Sequence, residues 1–82
     1  LKAMGTKFGW PDLEIFVPGD QSRTGISSSI FIELKRLKGG KLTPNQAEIR
    51  DQLLEAGCHW GLARTVDEVK DILEPLIKLR AR

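Results

Sequence analysis

Apolar and polar positions alternate in two short stretches in the first half of the chain. Residues 12–17 (DLEIFV) have the period of two that is typical of a β-strand, and so do residues 29–35 (SIFIELK). The second stretch places Ile30, Ile32 and Leu34 on one face and Phe31, Glu33 and Lys35 on the other. Residues 18–28 are rich in Pro, Gly, Ser and Asp, which favours a loop. We therefore predict two strands that pair as an antiparallel hairpin about this loop.

The next segment carries the start and stop signals of a helix. Thr43 suits the N-cap and Pro44 the first helical position, and Gln46 can complete a capping box with Thr43. Gly57 is typical of the residue that follows a helix. We predict one helix between these signals.

The last part of the chain predicts a short strand and a second helix. The strand covers residues 58–63, and a second capping box from Thr65 to Glu68 opens the helix. Pro75 is expected to kink or end that helix. The resulting order, β-β-α-β-α, predicts an α+β domain with a mixed sheet flanked by helices.

Composition narrows the class of protein without deciding its function. The chain of 82 residues predicts a single small domain over residues 1–82, which gains stability from a partner. No apolar run approaches the roughly 20 residues that span a bilayer, so we expect no membrane partner. The single cysteine cannot form an internal disulfide, which favours a reducing, cytoplasmic location. The net charge of +2 is too small to identify a nucleic-acid-binding protein by itself.

Glu33 and Lys35 are charged residues inside the second predicted strand, where apolar residues would be expected. Burying a charge costs several kcal/mol even after relaxation, unless it is paired or bound to an ion. If the hairpin is centred on Arg23, residues whose numbers sum to about 46 lie opposite each other. Asp12 then lies beside Leu34, next to Glu33 and Lys35. The sequence therefore predicts two carboxylates and one ammonium together at one end of the hairpin.

This group of residues suits the chemistry of a phosphodiester. Two adjacent carboxylates repel each other unless a cation lies between them or one is protonated. Oxygen ligands favour Mg²⁺ or Mn²⁺, and the backbone carbonyl of Leu34 is a further candidate ligand beside Asp12 and Glu33. The Lys35 ammonium can orient a water or stabilise charge that develops on phosphorus.

Several stretches together resemble one nuclease family. Pro11-Asp12 and Glu33-Leu34-Lys35 match the two halves of the PD-(D/E)XK signature, which alone is a weak pattern. The glycine before the PD, the TPNQ start of the first helix and the downstream EAGCHWGLARTVDE stretch make the chain similar to the VRR-NUC branch of that superfamily. The resemblance covers residues 4–74.

The resemblance implies a metal-dependent nuclease that acts on branched DNA. By position, Asp12 and Glu33 would be metal ligands, Lys35 the catalytic lysine and Gln46 an active-site residue. Stand-alone members of this branch resemble Holliday-junction resolvases of DNA repair and recombination, which work as homodimers without a small-molecule cofactor. The family usually has an N-terminal helix with an acidic residue before the PD, so we interpret this chain as N-terminally incomplete.

Alternatives stay open at several positions. A capping role and a site role for Gln46 are equally good interpretations. Arg36, Lys38 and Lys41 would either contact DNA phosphates or form a solvated basic turn, and Arg23 is a further candidate for DNA contact. The functional rivals of a dimeric resolvase are a monomeric nuclease for flaps or nicks and a DNA-binding module without catalysis.

Overall fold

The computed structural model describes residues 8–78, and the ends of the domain predicted over residues 1–82, with any N-terminal helix, lie outside them. The elements are β1 (Leu13–Val17), a short 3-10 turn (Gly19–Gln21), β2 (Ser28–Leu34), α1 (Pro44–Glu55), β3 (His59–Ala63) and α2 (Val66–Leu73). The chain forms a small α+β domain with a three-stranded mixed sheet and two helices, as the β-β-α-β-α order predicted. No helix within the described range is long and apolar enough to cross a membrane.

The sheet has the order β1-β2-β3, with β2 in the centre, antiparallel to β1 and parallel to β3. The predicted antiparallel hairpin is confirmed, but Leu13 pairs with Ile32, so paired residue numbers sum to 45 and not to 46. A sum of 46 would have placed Leu13 opposite Glu33, so that the apolar residues of β1 lay on the same side of the sheet as the charged residues of β2. The observed register continues to Asp12 beside Glu33.

Each face of the sheet is covered by one helix. On one face, Ile30 and Ile32 of β2 are fully buried beneath the apolar residues of α2 and of the segment that follows it. On the other face, Phe31 of β2 packs against Ile49 and Leu53 of α1. This division is the one that the alternation in residues 29–35 predicted.

Helix α1 begins and ends with the signals that its sequence predicted. Thr43 Oγ1 accepts the Gln46 N–H (3.2 Å), and Gln46 Oε1 accepts the Thr43 N–H (3.0 Å), so both halves of the capping box are present. At the other end, the N–H groups of Gly57 and Cys58 donate to the carbonyls of Leu54 and Leu53 (3.1 and 3.0 Å). This pair of hydrogen bonds satisfies carbonyls at the end of the helix.

Helix α2 shows a variation on its predicted cap. Thr65 Oγ1 accepts the Glu68 N–H (3.1 Å), but the Glu68 carboxylate accepts the N–H of Arg64 and not that of Thr65 (2.6 Å). The helix ends at Leu73, two residues before Pro75, as expected from the missing N–H of proline.

Candidate functional site

The predicted polar residues converge where β1 begins, β2 ends and α1 begins. Asp12 precedes β1, Glu33 lies near the end of β2, and Lys35 follows β2 directly. Gln46 lies in the first turn of α1, on the side of the sheet that α1 covers. Because Glu33 and Lys35 are two residues apart, both project towards that helix. The structure therefore brings together the four residues predicted as catalytic.

Gln46 links the cluster through both ends of its amide. Its Oε1 accepts from the Lys35 ammonium (2.8 Å) and from the Thr43 N–H (3.0 Å), and its Nε2 donates to Glu33 Oε2 (2.9 Å). Two donors on one side and a carboxylate on the other determine which way the amide points. Gln46 thus caps α1 and also contacts Glu33 and Lys35, and its role as an active-site residue stays a prediction.

Asp12 is held by the backbone of the neighbouring strand. Its Oδ2 accepts the N–H of Leu34 at 2.9 Å, in a bond that fixes the carboxylate at the end of the hairpin. This contact locates the Leu34 backbone beside Asp12, although the role of the Leu34 carbonyl as a metal ligand stays a prediction. Asp12 is exposed to solvent, whereas Glu33 is buried, so the pair extends from the interior to the surface.

Glu33 is a buried carboxyl group with an unusual protonation equilibrium. Only 5% of its side chain is exposed, and the Lys35 ammonium is 3.9 Å from its Oε2, with 14% of the lysine side chain exposed. Burial raises the pKa of Glu33 from 4.5 to about 7, together with the hydrogen bond to Asp12 and the negative charge of Asp12, against the opposing effect of Lys35. Near neutral pH the Glu33 carboxyl group is therefore protonated for part of the time.

The segment before Asp12 is seated against the start of α1. Gly9 has a φ of +89°, and a Cβ atom at this position would lie 2.8 Å from the backbone carbon of Asn45. Trp10 makes an edge-to-face contact with Phe31, with 5.4 Å between the ring centroids. Both contacts require the segment to lie close to α1 and β2, and they place Asp12 at the mouth of the site. Trp10 is thus a packing residue.

The donor set of the site fits a hard divalent cation. Asp12 and Glu33 supply two carboxyl groups close enough for the charge of Asp12 to raise the pKa of Glu33, and repulsion of this kind is removed by a cation. Mg²⁺ is commonly bound through one or two carboxylates, and water or a substrate phosphate supplies its other ligands. Within residues 8–78 no group of three or more His, Cys, Asp and Glu side chains is suited to hold a metal, so this pair would be the protein's share there.

Comparisons with known proteins do not add to this description. No family model, no curated protein and no solved structure matches the chain. The functional assignment therefore depends on the residues of the site and on their geometry.

The basic residues predicted to contact DNA fall into two groups. Arg36, Lys38 and Lys41 lie in the turn between β2 and α1, exposed and next to the site in sequence and in space. Arg23 lies at the opposite end of the hairpin, where its Nε donates to the carbonyl of Glu74 (2.9 Å). The structure therefore brings the turn residues to the cluster and leaves Arg23 away from it.

Arg64 is the site-proximal residue that the sequence did not indicate. It follows β3 directly, and its guanidinium hydrogen-bonds to carbonyls of the turn that carries Arg36 and Lys38. An isolated arginine after a short strand has no local pattern that predicts such a contact. Parallel pairing of β2 and β3 would have indicated the contact, because this register makes Lys35 and Arg64 neighbours just beyond the last paired residues.

Proposed function

We propose that this chain is a metal-dependent nuclease of the PD-(D/E)XK type that hydrolyses phosphodiester bonds in DNA. The observation that carries the proposal is the convergence of Asp12, Glu33 and Lys35, with Gln46 hydrogen-bonded to the last two. A buried carboxyl and a nearly buried ammonium are costly for a domain of this size, so their joint presence favours a chemical role. The mixed sheet flanked by helices is compatible with that superfamily.

In this proposal Asp12 and Glu33 hold the cation, Mg²⁺ or Mn²⁺. When bound, such an ion supplies Lewis-acid polarisation of a phosphate oxygen and lowers the pKa of a water. The Leu34 N–H keeps the Asp12 carboxylate at the mouth of the site, and the Gln46 amide keeps Glu33 Oε2 in place. Both ligands are thus oriented before substrate arrives, which reduces the entropic cost of assembling the site.

Lys35 supplies the positive charge of the site. Its ammonium is oriented by Gln46 Oε1 at 2.8 Å and keeps two further N–H donors for a water or a phosphate oxygen. From there it can orient the attacking water or stabilise the negative charge that develops on phosphorus. Because its side chain is largely shielded from water, that charge acts more strongly than it would in bulk solvent.

We further propose that the substrate is branched DNA and that the enzyme works as a homodimer. Arg36, Lys38 and Lys41 offer exposed positive charge next to the site, where phosphates of any base sequence can be bound. Two cuts in a four-way junction need two sites related by a two-fold axis, which a symmetric dimer provides. The cytoplasmic location expected from the single cysteine is part of the same proposal.

A cleavage assay on matched substrates tests the proposal. End-labelled four-way junction, 5′-flap and linear duplex DNA are incubated with Mg²⁺, with Mn²⁺ or with EDTA, for the wild type and for Asp12→Asn. We expect metal-dependent paired cuts in the four-way junction that the variant does not make. Cuts confined to the flap would replace the dimeric resolvase by a monomeric flap nuclease. DNA binding without any cut would contradict catalysis and favour a binding module.

A further inference from the structure

The guanidinium of Arg64 binds three backbone carbonyls of a single turn. Its Nη1 donates to the carbonyls of Arg36 (2.6 Å) and Gly39 (2.5 Å), and its Nη2 donates to the carbonyl of Gly40 (3.1 Å). Among the described residues, no carboxylate forms a salt bridge with this guanidinium. The planar fork of an arginine can satisfy several acceptors at fixed angles, which a lysine cannot do. Arg64 therefore holds the backbone of the turn in one shape.

Arg64 is itself well placed for this task. It directly follows β3, whose parallel pairing with β2 continues with the bond from the Lys35 N–H to the Ala63 carbonyl (3.0 Å). The N–H of Arg64 donates to the Glu68 carboxylate at the start of α2 (2.6 Å). The backbone of Arg64 is thus held by the sheet and by the start of α2, so its guanidinium extends from a rigid part of the fold.

The turn that Arg64 holds lies beside the side chain of Lys35. A Cβ atom at Gly40 would lie 3.5 Å from Lys35 Cδ and 3.6 Å from Lys35 Cβ, so the backbone of the turn runs beside the aliphatic part of the lysine, with space for about one methyl group between them. Gly40 has a φ of +69°, a conformation that glycine adopts without strain. The turn therefore flanks the lysine side chain, whose ammonium reaches Gln46 Oε1.

We infer that Arg64 is a positioning residue for Lys35: its fork fixes the turn at residues 36–40, and the turn fixes the path of the Lys35 side chain. This inference rests on the proposed nuclease function, in which the Lys35 ammonium acts on water or phosphate. Without the fork, the exposed carbonyls of the turn bind water, so folding is little affected. The lysine then loses the fixed turn that flanks it and samples several rotamers, and a misplaced catalytic group is costly even at small displacements.

A double-mutant cycle tests this inference. The variants are Arg64→Ala, Lys35→Ala and the combination of the two, assayed for metal-dependent cleavage of the DNA substrate. We expect Arg64→Ala to lower kcat about 10- to 100-fold, with a much smaller change in KM because the flexible basic side chains of the turn keep their charge. If Arg64 acts through Lys35, the double variant cleaves no more slowly than Lys35→Ala alone. Additive losses would overturn the inference.

Two further variants separate the fork from charge and from general effects. Arg64→Lys keeps the charge but cannot reach three carbonyls, so its kcat should fall nearly as far as that of Arg64→Ala; full activity of Arg64→Lys would overturn the role of the fork. Arg50→Ala is the matched control, because that exposed arginine of α1 donates to its neighbour Asp51 and stacks on Trp60, away from the turn. Its cleavage rate should equal that of the wild type.

A measurement that does not depend on cleavage keeps this inference apart from the proposed function. Limited trypsin digestion reports on the turn, which contains cleavage sites after Arg36, Lys38 and Lys41. We expect about tenfold faster cutting there in Arg64→Ala than in wild type, with an unchanged melting temperature, since proteolysis follows local opening. Unchanged cutting would show that Arg64 does not hold the turn. If wild-type protein makes no metal-dependent cut in any DNA, the proposed function fails, whatever the digestion shows.

Discussion

The two faces of strand β2 differ in what they bury. On the α2 side, Ile30 and Ile32 are fully buried, in a core with Val17, Ala63 and apolar residues of α2 and of the segment that follows it. On the α1 side, Phe31 is equally buried, but two residues later Glu33 is 97% buried, as a carboxyl group. One face of the strand thus buries apolar side chains at Ile30 and Ile32. The other face buries an apolar side chain at Phe31 and a carboxyl group two residues later.

The difference shows how a small domain can carry a costly site. The α2 face supplies an apolar core, and on the other face Phe31 packs against the apolar residues of α1. Near the start of α1, Glu33 and Lys35 are connected through Gln46, so the buried charges have hydrogen-bond partners. Among residues 8–78, no buried side-chain nitrogen or oxygen is without a partner. The α1 face therefore combines apolar packing at Phe31 with hydrogen-bonded charged groups at Glu33 and Lys35.

Removal of the Lys35 ammonium gives the largest expected effect on the polar face. Lys35→Ala should lower the rate of DNA cleavage by about 10²- to 10⁴-fold, because it removes the group that we propose to orient water or stabilise phosphate charge. Junction binding, measured by fluorescence anisotropy in Ca²⁺ or EDTA, should be nearly unchanged. A parallel loss of binding and of the cooperative thermal transition would instead indicate misfolding and remove the distinction between the two faces.

Stability against pH distinguishes Glu33 from its apolar neighbour. The pKa of Glu33 is 4.5 when the group is unperturbed and about 7 in the folded protein. Between these values the folded state keeps a proton that the unfolded state has released, so stability falls as the pH rises from about 4.5 to about 7. At about 1.4 kcal/mol for each pKa unit, the loss is about 3 kcal/mol. Chemical denaturation in EDTA at several pH values measures it.

Glu33→Gln and Ile32→Ala should move this stability in opposite directions. At pH 8 Glu33→Gln is expected to stabilise the protein by up to about 3 kcal/mol and to flatten its pH dependence, since a neutral amide replaces a buried charge. Ile32→Ala is expected to destabilise the protein by about 2–5 kcal/mol at every pH, because it leaves a cavity. A destabilised Glu33→Gln variant at pH 8 would mean that the carboxylate serves the fold.

Gln46 can be tested by a change that keeps its cap. Gln46→Glu retains an acceptor for the Thr43 N–H, as in the usual capping box, but faces Glu33 with an oxygen in place of an N–H. We expect a loss of about 1–2 kcal/mol of stability at pH 8 and much less at pH 5, where Glu33 is protonated. Gln46→Ala, as the comparison, loses the hydrogen bonds without placing a second carboxylate beside Glu33, so its loss should depend less on pH. Equal behaviour of the two variants would contradict the hydrogen bond to Glu33.

The sequence was sufficient for the elements and their faces, but not for the details of the contacts. Alternation in residues 29–35 and the capping signals around α1 correctly predicted the strand, its two faces and the helix. The hairpin register was predicted one residue away from the observed one, because a long loop does not determine its own centre. The apolar faces of the two strands decide it, and they require an odd sum.

The site was predictable as a set of residues and not as a network. The positions of Asp12, Glu33 and Lys35 follow from the hairpin, and Gln46 from the first turn of the next helix. The Gln46 amide contacts both Lys35 and Glu33 because of the distance at which α1 packs on the sheet. Tertiary packing determines that distance. The contact of Arg64 with the turn likewise joins residues more than 20 positions apart, and no local pattern encodes it.

The smallest expected effects distinguish the two groups of basic residues. Lys38→Gln combined with Lys41→Gln should weaken DNA binding and reduce the slope of log K against log salt concentration by about 2, one for each phosphate contact. Arg23→Ala should leave that slope unchanged and cost at most about 1 kcal/mol of stability, because its Nε bonds to the Glu74 carbonyl at the far end of the sheet. A reduced slope in Arg23→Ala would extend the DNA surface to that end.

Binding of Mn²⁺, followed by paramagnetic broadening of backbone amide signals, tests most directly the claim that the α1 face carries a metal site. Substoichiometric Mn²⁺ is titrated into ¹⁵N-labelled wild type and Asp12→Asn at pH 8, above the pKa of Glu33. We expect selective broadening of the amides of Asp12, Glu33, Leu34 and Lys35 in the wild type and its loss in the variant. Broadening spread evenly over the surface, or the same in both proteins, would contradict the claim that the buried carboxylate is there to hold a metal.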